Sequence, residues 1–465
     1  MTEFGKQLKI SETSIPGLLL LDLPVHGDSR GWFKENWQRE KMLALGLPDL
    51  GPVQNNISFN DEAGTTRGIH AEPWDKFVSV ATGKIFGAWV DLREGPSFGS
   101  VFTAELDASK AIFVPRGVAN SYQTLEADTA YVYLVNDHWS PDADYTFLNL
   151  ADETVNIPWP IPLDDALLSE KDSQHPRLAD VVPMKPKKTL VLGANGQLGL
   201  ALRKVLPEAD FFTRGDFDVT DEHAYAGVAW RNYATVINAS AYTAVDAAET
   251  PEGRQEAWGA NATAVGLLSA KCAEYRLTLV HVSSDYVFDG SLQGAYSEID
   301  AISPLGVYAQ TKAAGDVAAA TAPQHYIVRT SWVIGEGNNF VCTMASLAER
   351  GIDPSVVNDQ QGRLTFTEDL AAAIVHLVSS KAPYGIYNLT NEGDPATWAE
   401  IAQRVFALTG HDASRVTGVS TGEYFAGKEG IAPRPANSVL DLTKIESSGF
   451  TPAPWEERLR DYLQA

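Results

Sequence analysis

Cysteine is scarce in this chain, with two in 465 residues, Cys272 and Cys342. Both fall in apolar, helical-looking stretches without metal-ligand spacing, which excludes a disulfide framework and a cysteine-based metal site and leaves two reduced core thiols. Basic residues are also in deficit, 36 Lys and Arg against 60 Asp and Glu, for a formal net charge of -24. A field of that sign repels nucleic acid and anionic membranes unless a basic face is segregated, and the sequence shows no such face. A few arginines can still dominate a pocket, so an anionic small substrate stays open. No run is long enough to span a bilayer and no N-terminal apolar segment of a secretory signal appears, so no membrane contact and a cytoplasmic location are expected. Apolar residues themselves are not lacking: 44% hydrophobic and 21% charged is an ordinary globular balance, and disorder is not indicated.

The length exceeds what one core sustains, so two domains are expected. The stretch VPMKPKKTLVLGANGQLG, residues 182–199, supplies the boundary. Pro183, Pro186 and the lysines 185, 187 and 188 resist continuation of helix or strand, and the apolar run Thr189–Leu192 then reads as a buried parallel strand. The reading is a first domain over residues 1–183, a linker over 184–188 and a second domain over 189–465. Gly193, Asn195, Gly196, Gln197, Leu198 and Gly199 form a GxxGxxG turn before a helix, where small residues let backbone amides reach a pyrophosphate at a helix N-terminus. Alone, that motif is weak.

The first half shows short alternating strands at Lys76–Val80, Phe86–Leu92, Ala111–Val114 and Thr129–Val135. Such spacing suggests an all-β jelly roll, cupin-like, whose mouth can hold a ligand. Its chemistry-bearing residues are His70 in RGIH, Lys76, Tyr133 and Asp172 in SEKD. A metal at His70 is not expected, because no second histidine stands at cupin-like ligand spacing. In order, the segments DSRGWFKE (28–35), QNNIS (54–58), RGIH (67–70), PRG (115–117), Trp159-Pro160 and SEKD (169–172) resemble the dTDP-4-dehydrorhamnose 3,5-epimerase family over nearly all of residues 12–182. The resemblance implies a metal-free enzyme with His70 as base, Asp172 orienting it, Tyr133 as proton donor on the opposite face and Lys76 stabilising the enolate oxygen. It also implies nucleotide-diphosphate contacts at Arg30, Glu35, Gln54, Asn56 and Arg67. Two positions depart from the pattern: Asn120 stands where the family usually has a second histidine, and Trp139 where it usually has tyrosine. An asparagine amide can still donate to the ketone oxygen, so Asn120 is retained as a substrate contact.

In the second half the segment 210–214, DFFTR, reads as the end of a second strand, and its Arg214 suits a 2'-phosphate, so NADPH is expected, with NADH as the alternative. The strand Leu277–Ser284 ends in SSDYVFDG, and Tyr308 and Lys312 form a YxxxK pair one helical turn apart, with the ammonium expected to lower the phenol's pKa. GxxGxxG, SSDYVFDG and YxxxK in this order point to an extended short-chain dehydrogenase/reductase, an α/β Rossmann-type doubly wound parallel sheet with a smaller C-terminal substrate-binding subdomain. Within that superfamily the RTSW (329–332), NDQQG (358–362) and RPANS (434–438) segments resemble dTDP-4-dehydrorhamnose reductase. The resemblance implies catalysis by Ser284, Tyr308 and Lys312. Cofactor contacts carry over to the glycine turn, Asp218, Val219, Ala239, Ala241, Tyr242, Thr243, Tyr308 and Lys312, and substrate contacts to Ser284, Asp285 and Trp332. Ser284 replaces the usual threonine and Leu364 the usual proline; the hydroxyl survives. Some relatives hold magnesium at a dimer interface, but no compact carboxylate cluster here places an ion, and the metal is left unassigned.

The two halves fit consecutive chemistry on a dTDP-sugar: 3,5-epimerisation of dTDP-4-dehydro-6-deoxy-D-glucose to dTDP-4-dehydro-L-rhamnose, then reduction of the C4 ketone to dTDP-L-rhamnose. The resemblance further implies a homo-oligomer, a dimer. The rival readings are a single-position epimerase or ketoisomerase in the first half, and a non-catalytic dinucleotide-sensing second half. The intact Ser284, Tyr308 and Lys312 set argues against the last, since a sensor needs no proton donor.

Overall fold

Strands Lys76–Thr82 and Ile85–Asp91 combine β-branched and aromatic residues and are buried along most of their length, which makes them interior members of their sheets. They organise the first of two units, Met1–Pro186 and Lys187–Ala465, into which the computed structural model divides; it describes residues 4–140 and 143–464. One antiparallel sheet runs Lys9–Glu12, Leu19–Asp22, Lys110–Val114, Lys76–Thr82, Thr129–Val135, Gln54–Asn60; the other runs Thr146–Phe147, Thr66–Ala71, Val118–Thr124, Ile85–Asp91, Val101–Leu106. Val78, Val80, Ile112 and Tyr131 of the first share one core with Ile85, Trp89, Leu106 and Val118 of the second, so the sheets pack face to face. Register sets the site. His70 lies opposite Asn120 on one sheet, and Lys76 and Tyr133 lie on neighbouring strands of the other.

The second unit is built on a six-stranded parallel sheet in the order Asp210–Phe212, Lys188–Leu192, Tyr233–Asn238, Thr278–Ser284, His325–Thr330, Gly385–Asn388. Alternate residues of Lys188–Leu192 feed two cores: Val191 joins the core with Leu202 and Ile374 on one face, and Leu190 and Leu192 join that with Leu268 and Cys272 on the other. Helices therefore cover both faces, as nearly continuous apolar parallel strands require. The order of connection reverses at Lys188–Leu192, where open parallel sheets form a crevice at the carboxyl ends of their strands. A smaller layer has its own core of Val341, Ile401, Val405, Phe406, Trp455 and Leu459. It is not one uninterrupted C-terminal segment. Helix Thr367–Ser379 and strand Gly385–Asn388 return to the main sheet in the middle of it, because Leu370, Ile374 and Leu377 have their apolar partners there.

The expected linker at 184–188 is largely taken up by the units. Met184 bridges to Arg93, the Lys185 carbonyl accepts from Arg116 at 2.8 Å, and Lys188 already opens a strand. Backbone groups that find partners shorten a linker that proline and charge alone would suggest. Cys272 is buried in helix Ala264–Tyr275 and burial pushes its thiol up to about 12, whereas Cys342 is only half-buried, its sulfur 3.2 Å from the Tyr462 hydroxyl; both are free. Among the described residues no helix is long and apolar enough to cross a membrane.

Candidate active sites

Between the two sheets of the first unit lies a cavity of about 540 Å³ lined by Arg67, His70, Glu72, Lys76, Asn120, Tyr133 and Asp172 among others. His70 reaches it from Thr66–Ala71, and its Nε2 is 2.9 Å from Asp172 Oδ1. Asp172 rides on the one-turn helix Glu170–Ser173, whose N-cap Ser169 accepts from the Asp172 N–H at 3.1 Å. Asn149 fixes the far side by donating to the carbonyls of Ser173 and His175 at 2.9 and 3.0 Å. Burial pushes the Asp172 carboxyl upward. The His70 hydrogen bond and charge, with the Gly68 N–H and Ser169, outweigh this and hold it below the ordinary carboxylate range.

Lys76 and Tyr133 face this dyad from the other sheet. The Lys76 ammonium is buried, paired with Glu72, and lies 5.3 Å from the centre of the Tyr133 ring. Burial, and then the Glu72 charge, raise the Tyr133 phenol, so it stays protonated. Asn120 accepts from the Tyr131 hydroxyl at 2.7 Å. With its carbonyl so engaged, the amide's two N–H groups are left for the cavity. Tyr131 is fixed in turn by stacking on Tyr122 at 4.1 Å.

Not every expected contact converges here. Arg67 lines the cavity, but Arg30 is an exposed partner of Asp28 on the hairpin formed by Val25–Asp28 and Gly31–Lys34, and Glu35 pairs with Lys41. Gln54 and Asn56 bond to each other at 2.8 Å on the edge strand. None of these four lines the cavity within this chain.

In the second unit a cavity of about 660 Å³ lies at the sheet's switch point, lined by Gly193, Asn195, Gly196, Arg214, Asp218, Val219, Ala239, Ala241 and Tyr242 together with residues not anticipated, Gln255 and Glu256 among them. The turn needs glycine at two places. A Cβ on Gly193, at φ 82°, would lie 2.8 Å from the Ala239 carbonyl carbon, and one on Gly199 would lie 2.4 Å from the Gly193 oxygen. The helix Gln197–Val205 is capped by Gly196 without a side-chain bond, so its leading N–H groups remain open to an anion. Gln197, Leu198 and Gly199 do not line this cavity: Leu198 is buried in the core and Gln197 borders a separate hollow beside Glu336 and Tyr462. Arg214 is exposed at the rim and bonds Asp218 at 3.0 Å.

Tyr308 and Lys312 project from helix Val307–Ala319 toward the end of strand Thr278–Ser284. Lys312 Nζ donates to the Val282 carbonyl at 2.7 Å, and burial lowers its pKa to about 8. The phenol is not lowered as expected. Burial, and then the Asp285 charge, push Tyr308 up to about 12, with Ser284 acting in the opposite sense. Asp285 accepts from the Ser284 hydroxyl at 2.9 Å, and burial carries it up to about 6. Thr243, Tyr308 and Lys312 lie outside the lining of the dinucleotide cavity. Trp332, in left-handed backbone at φ 47°, stacks on Trp398 at 3.8 Å.

Beyond those cavity-lining residues, four groups that act on the predicted site residues escaped the sequence reading. Glu72 neutralises Lys76, and Tyr131 orients Asn120. Asn261 joins the cofactor loop to the catalytic helix through Tyr242 at 2.9 and 3.0 Å and Thr311 at 3.1 Å. His175 has its ring centre 5.3 Å from that of His70. Only the i, i+4 spacing of Glu72 and Lys76 offered a local signal.

The family described as RmlD substrate binding domain matches residues 187–465, and that described as dTDP-4-dehydrorhamnose 3,5-epimerase matches residues 12–180. The Protein RmlC homolog of Streptococcus pyogenes is 54% identical over 197 residues, 40% of this chain and 99% of that protein. The dTDP-4-dehydrorhamnose reductase of Aggregatibacter actinomycetemcomitans is 35% identical over 297 residues, 59% of this chain and 97% of that protein. The crystal structure of dTDP-4-dehydrorhamnose reductase from Bacillus anthracis in complex with NADP is 32% identical, covers 60% of this chain and 99% of that one, and superposes with a TM-score of 0.55.

Proposed function

The chain belongs to the dTDP-4-dehydrorhamnose 3,5-epimerase family over its first unit and to the dTDP-4-dehydrorhamnose reductase family over its second, and from this we propose that one polypeptide performs both steps in turn. It epimerises dTDP-4-dehydro-6-deoxy-D-glucose at C3 and C5 and reduces the resulting dTDP-4-dehydro-L-rhamnose to dTDP-L-rhamnose. The observation that carries this is the presence in one chain of two units with different machinery: a cavity lined by His70, Lys76, Tyr133 and Asp172 in the first, and in the second a cavity at the glycine turn together with the Ser284, Tyr308 and Lys312 set.

In the first unit, a jelly roll in our reading, the C4 ketone acidifies the protons at C3 and C5, and His70, held by Asp172, removes them. Lys76 and the Asn120 amide stabilise the oxygen as charge gathers on it. Tyr133 delivers a proton from the facing sheet, a role its raised pKa supports. In the second unit, the glycine turn that admits no Cβ and the uncapped helix N-terminus fit a dinucleotide pyrophosphate, and Arg214 suits the 2'-phosphate of NADPH. NADPH supplies the hydride when bound. Tyr308 gives its proton to the C4 oxygen, Ser284 holds that oxygen by a hydrogen bond, and Lys312 orients the cofactor and supplies positive charge beside the phenol. Magnesium has no assigned role here.

A homo-oligomer accounts for Arg30, Glu35, Gln54 and Asn56 standing away from the cavity of their own chain. Its support is the apolar surface beside them: Trp32 and Phe33 on the hairpin, Ile57 and Phe59 on the edge strand, all exposed. Two unpaired thiols support a cytoplasmic setting.

The test is incubation with dTDP-4-dehydro-6-deoxy-D-glucose in heavy water, with and without NADPH, followed by NMR of the products. Deuterium at both C3 and C5, and dTDP-L-rhamnose only when NADPH is present, is the expected result. Exchange at a single carbon would instead support the single-position reading that Asn120 keeps alive.

A further inference from the structure

His175 has no part in either reaction as described, yet its ring is buried beside the dyad, and its nitrogens make no well-formed hydrogen bond, only a weak contact with the backbone of Leu148. A buried imidazole so poorly partnered is costly, so its retention calls for a physical reason. Nε2 of His175 is 3.9 Å from Asp172 Oδ1, the same oxygen that lies 2.9 Å from His70 Nε2. One ligand atom from each of His70, Asp172 and His175 fall within 4.8 Å of one another.

We propose that His70, Asp172 and His175 form a binding site for a divalent transition-metal ion of the zinc type, taken up in competition with the proton shared by His70 and Asp172, so that the ion reversibly arrests epimerisation without touching reduction. Binding of the ion rests on geometry; the arrest rests on the reading of His70 as the base. Tetrahedral zinc with bonds of about 2.0–2.2 Å holds its ligands roughly 3.3–3.6 Å apart. The two pairs to Asp172, at 2.9 and 3.9 Å, bracket that range and the third lies within 4.8 Å, so rotation of the two imidazole rings toward a common centre must close the set. Two imidazoles and a carboxylate favour zinc, cobalt or copper over magnesium or calcium.

The surroundings already do what outer groups of metal sites do. The Gly68 N–H reaches Asp172 Oδ2 at 3.4 Å, which leaves Oδ1 for the ion. Phe147 stacks on His175 at 4.7 Å and fixes its ring, while Asn149 pins the backbone at the His175 carbonyl. Burial, followed by the neighbouring His70, lowers the His175 pKa and keeps the ring neutral as a ligand must be. Lys76, on the same cavity, is paired with Glu72, so its charge is largely cancelled. His70 and Asp172 both border the 540 Å³ cavity, from which water can supply a fourth ligand. On binding, the ion takes the Nε2 lone pair and the proton between His70 and Asp172 moves to His70 Nδ1, which is then a donor and can no longer accept a proton from the sugar.

The full chain, without substrate, is titrated with cobalt(II) and followed by visible absorption, and then with zinc by calorimetry. One equivalent per chain, with the intense bands of four-coordinate cobalt displaced by zinc, is the expected result. His175→Gln should weaken zinc binding on the order of 100-fold or more, since even outer partners of metal ligands are worth 10- to 100-fold. Zinc should stop deuterium exchange into the sugar, EDTA should restore it, and NADPH oxidation with the epimerised ketone supplied should continue. Absence of four-coordinate cobalt bands, or equal zinc affinity in wild type and His175→Gln, overturns the site. Zinc bound at one equivalent with exchange unaffected overturns instead the role of His70 as base.

Discussion

Tyr308 keeps its proton because it is poorly hydrated and faces the charge of Asp285, which push its pKa up to about 12. The neighbouring ammonium does not reverse this in the free protein, so Tyr308 is an acid in reserve and not a phenolate. Tyr308→Phe should lower hydride transfer by about 10²–10⁴-fold, the usual worth of a placed acid, with NADPH binding and deuterium exchange unchanged. Wild-type rates of NADPH oxidation in this variant would remove Tyr308 as the donor. Asp285 shows the cost of such a site. Its folded pKa of about 6 lies above the ordinary 3.8, so between about pH 4 and 6 the folded state holds a proton that the unfolded state has released. Stability therefore falls as pH rises through that window and stays lower above it, by up to about 3 kcal/mol at 1.36 kcal/mol per unit. Asp285→Asn should raise the melting temperature of the second unit near pH 7.5 and lose that advantage near pH 4. A variant less stable at both pH values would mean that the carboxylate's hydrogen bonds outweigh its desolvation.

At the scale of elements, both sites depend on short pieces with defined ends. Helix Glu170–Ser173 is a single turn, too short to persist by propensity, and the Ser169 cap and the Asn149 bonds hold it against strand Thr66–Ala71. Ser169→Ala removes the cap and should cost about 1 kcal/mol. Because the same turn carries Asp172, deuterium exchange should slow several-fold while NADPH oxidation stays at the wild-type rate. Equal slowing of both activities would point to general destabilisation. In the second unit the turn from Lys188–Leu192 to Gln197–Val205 leaves no room for side chains at Gly193 and Gly199, and the interrupted helix spanning Pro251 to Tyr275 places Asn261 where it ties two functional segments together.

The whole molecule consists of two units with separate cores and separate cavities. Separate expression of residues 1–186 and 187–465 should therefore give two folded pieces, the first catalysing exchange and the second reducing the epimerised ketone, each measured alone. Recovery of activity only on mixing would reveal that one unit completes the other. Much of this was legible in the sequence where chemistry is local: the glycine turn, the YxxxK helix face and the ordered motifs of each half all depend on neighbours within a few residues. Tertiary structure alone decided which distant groups meet. His175 was invisible as a companion of His70 because their contact arises when a capped turn far along the chain folds onto a strand. The phenol of Tyr308 followed burial and Asp285 instead of the lysine one turn away, and Asn120 acquired its orientation from Tyr131 on the facing sheet. Sequence spacing determines what one helix or strand presents. Desolvation and contacts between sheets depend on packing, which no window of sequence contains.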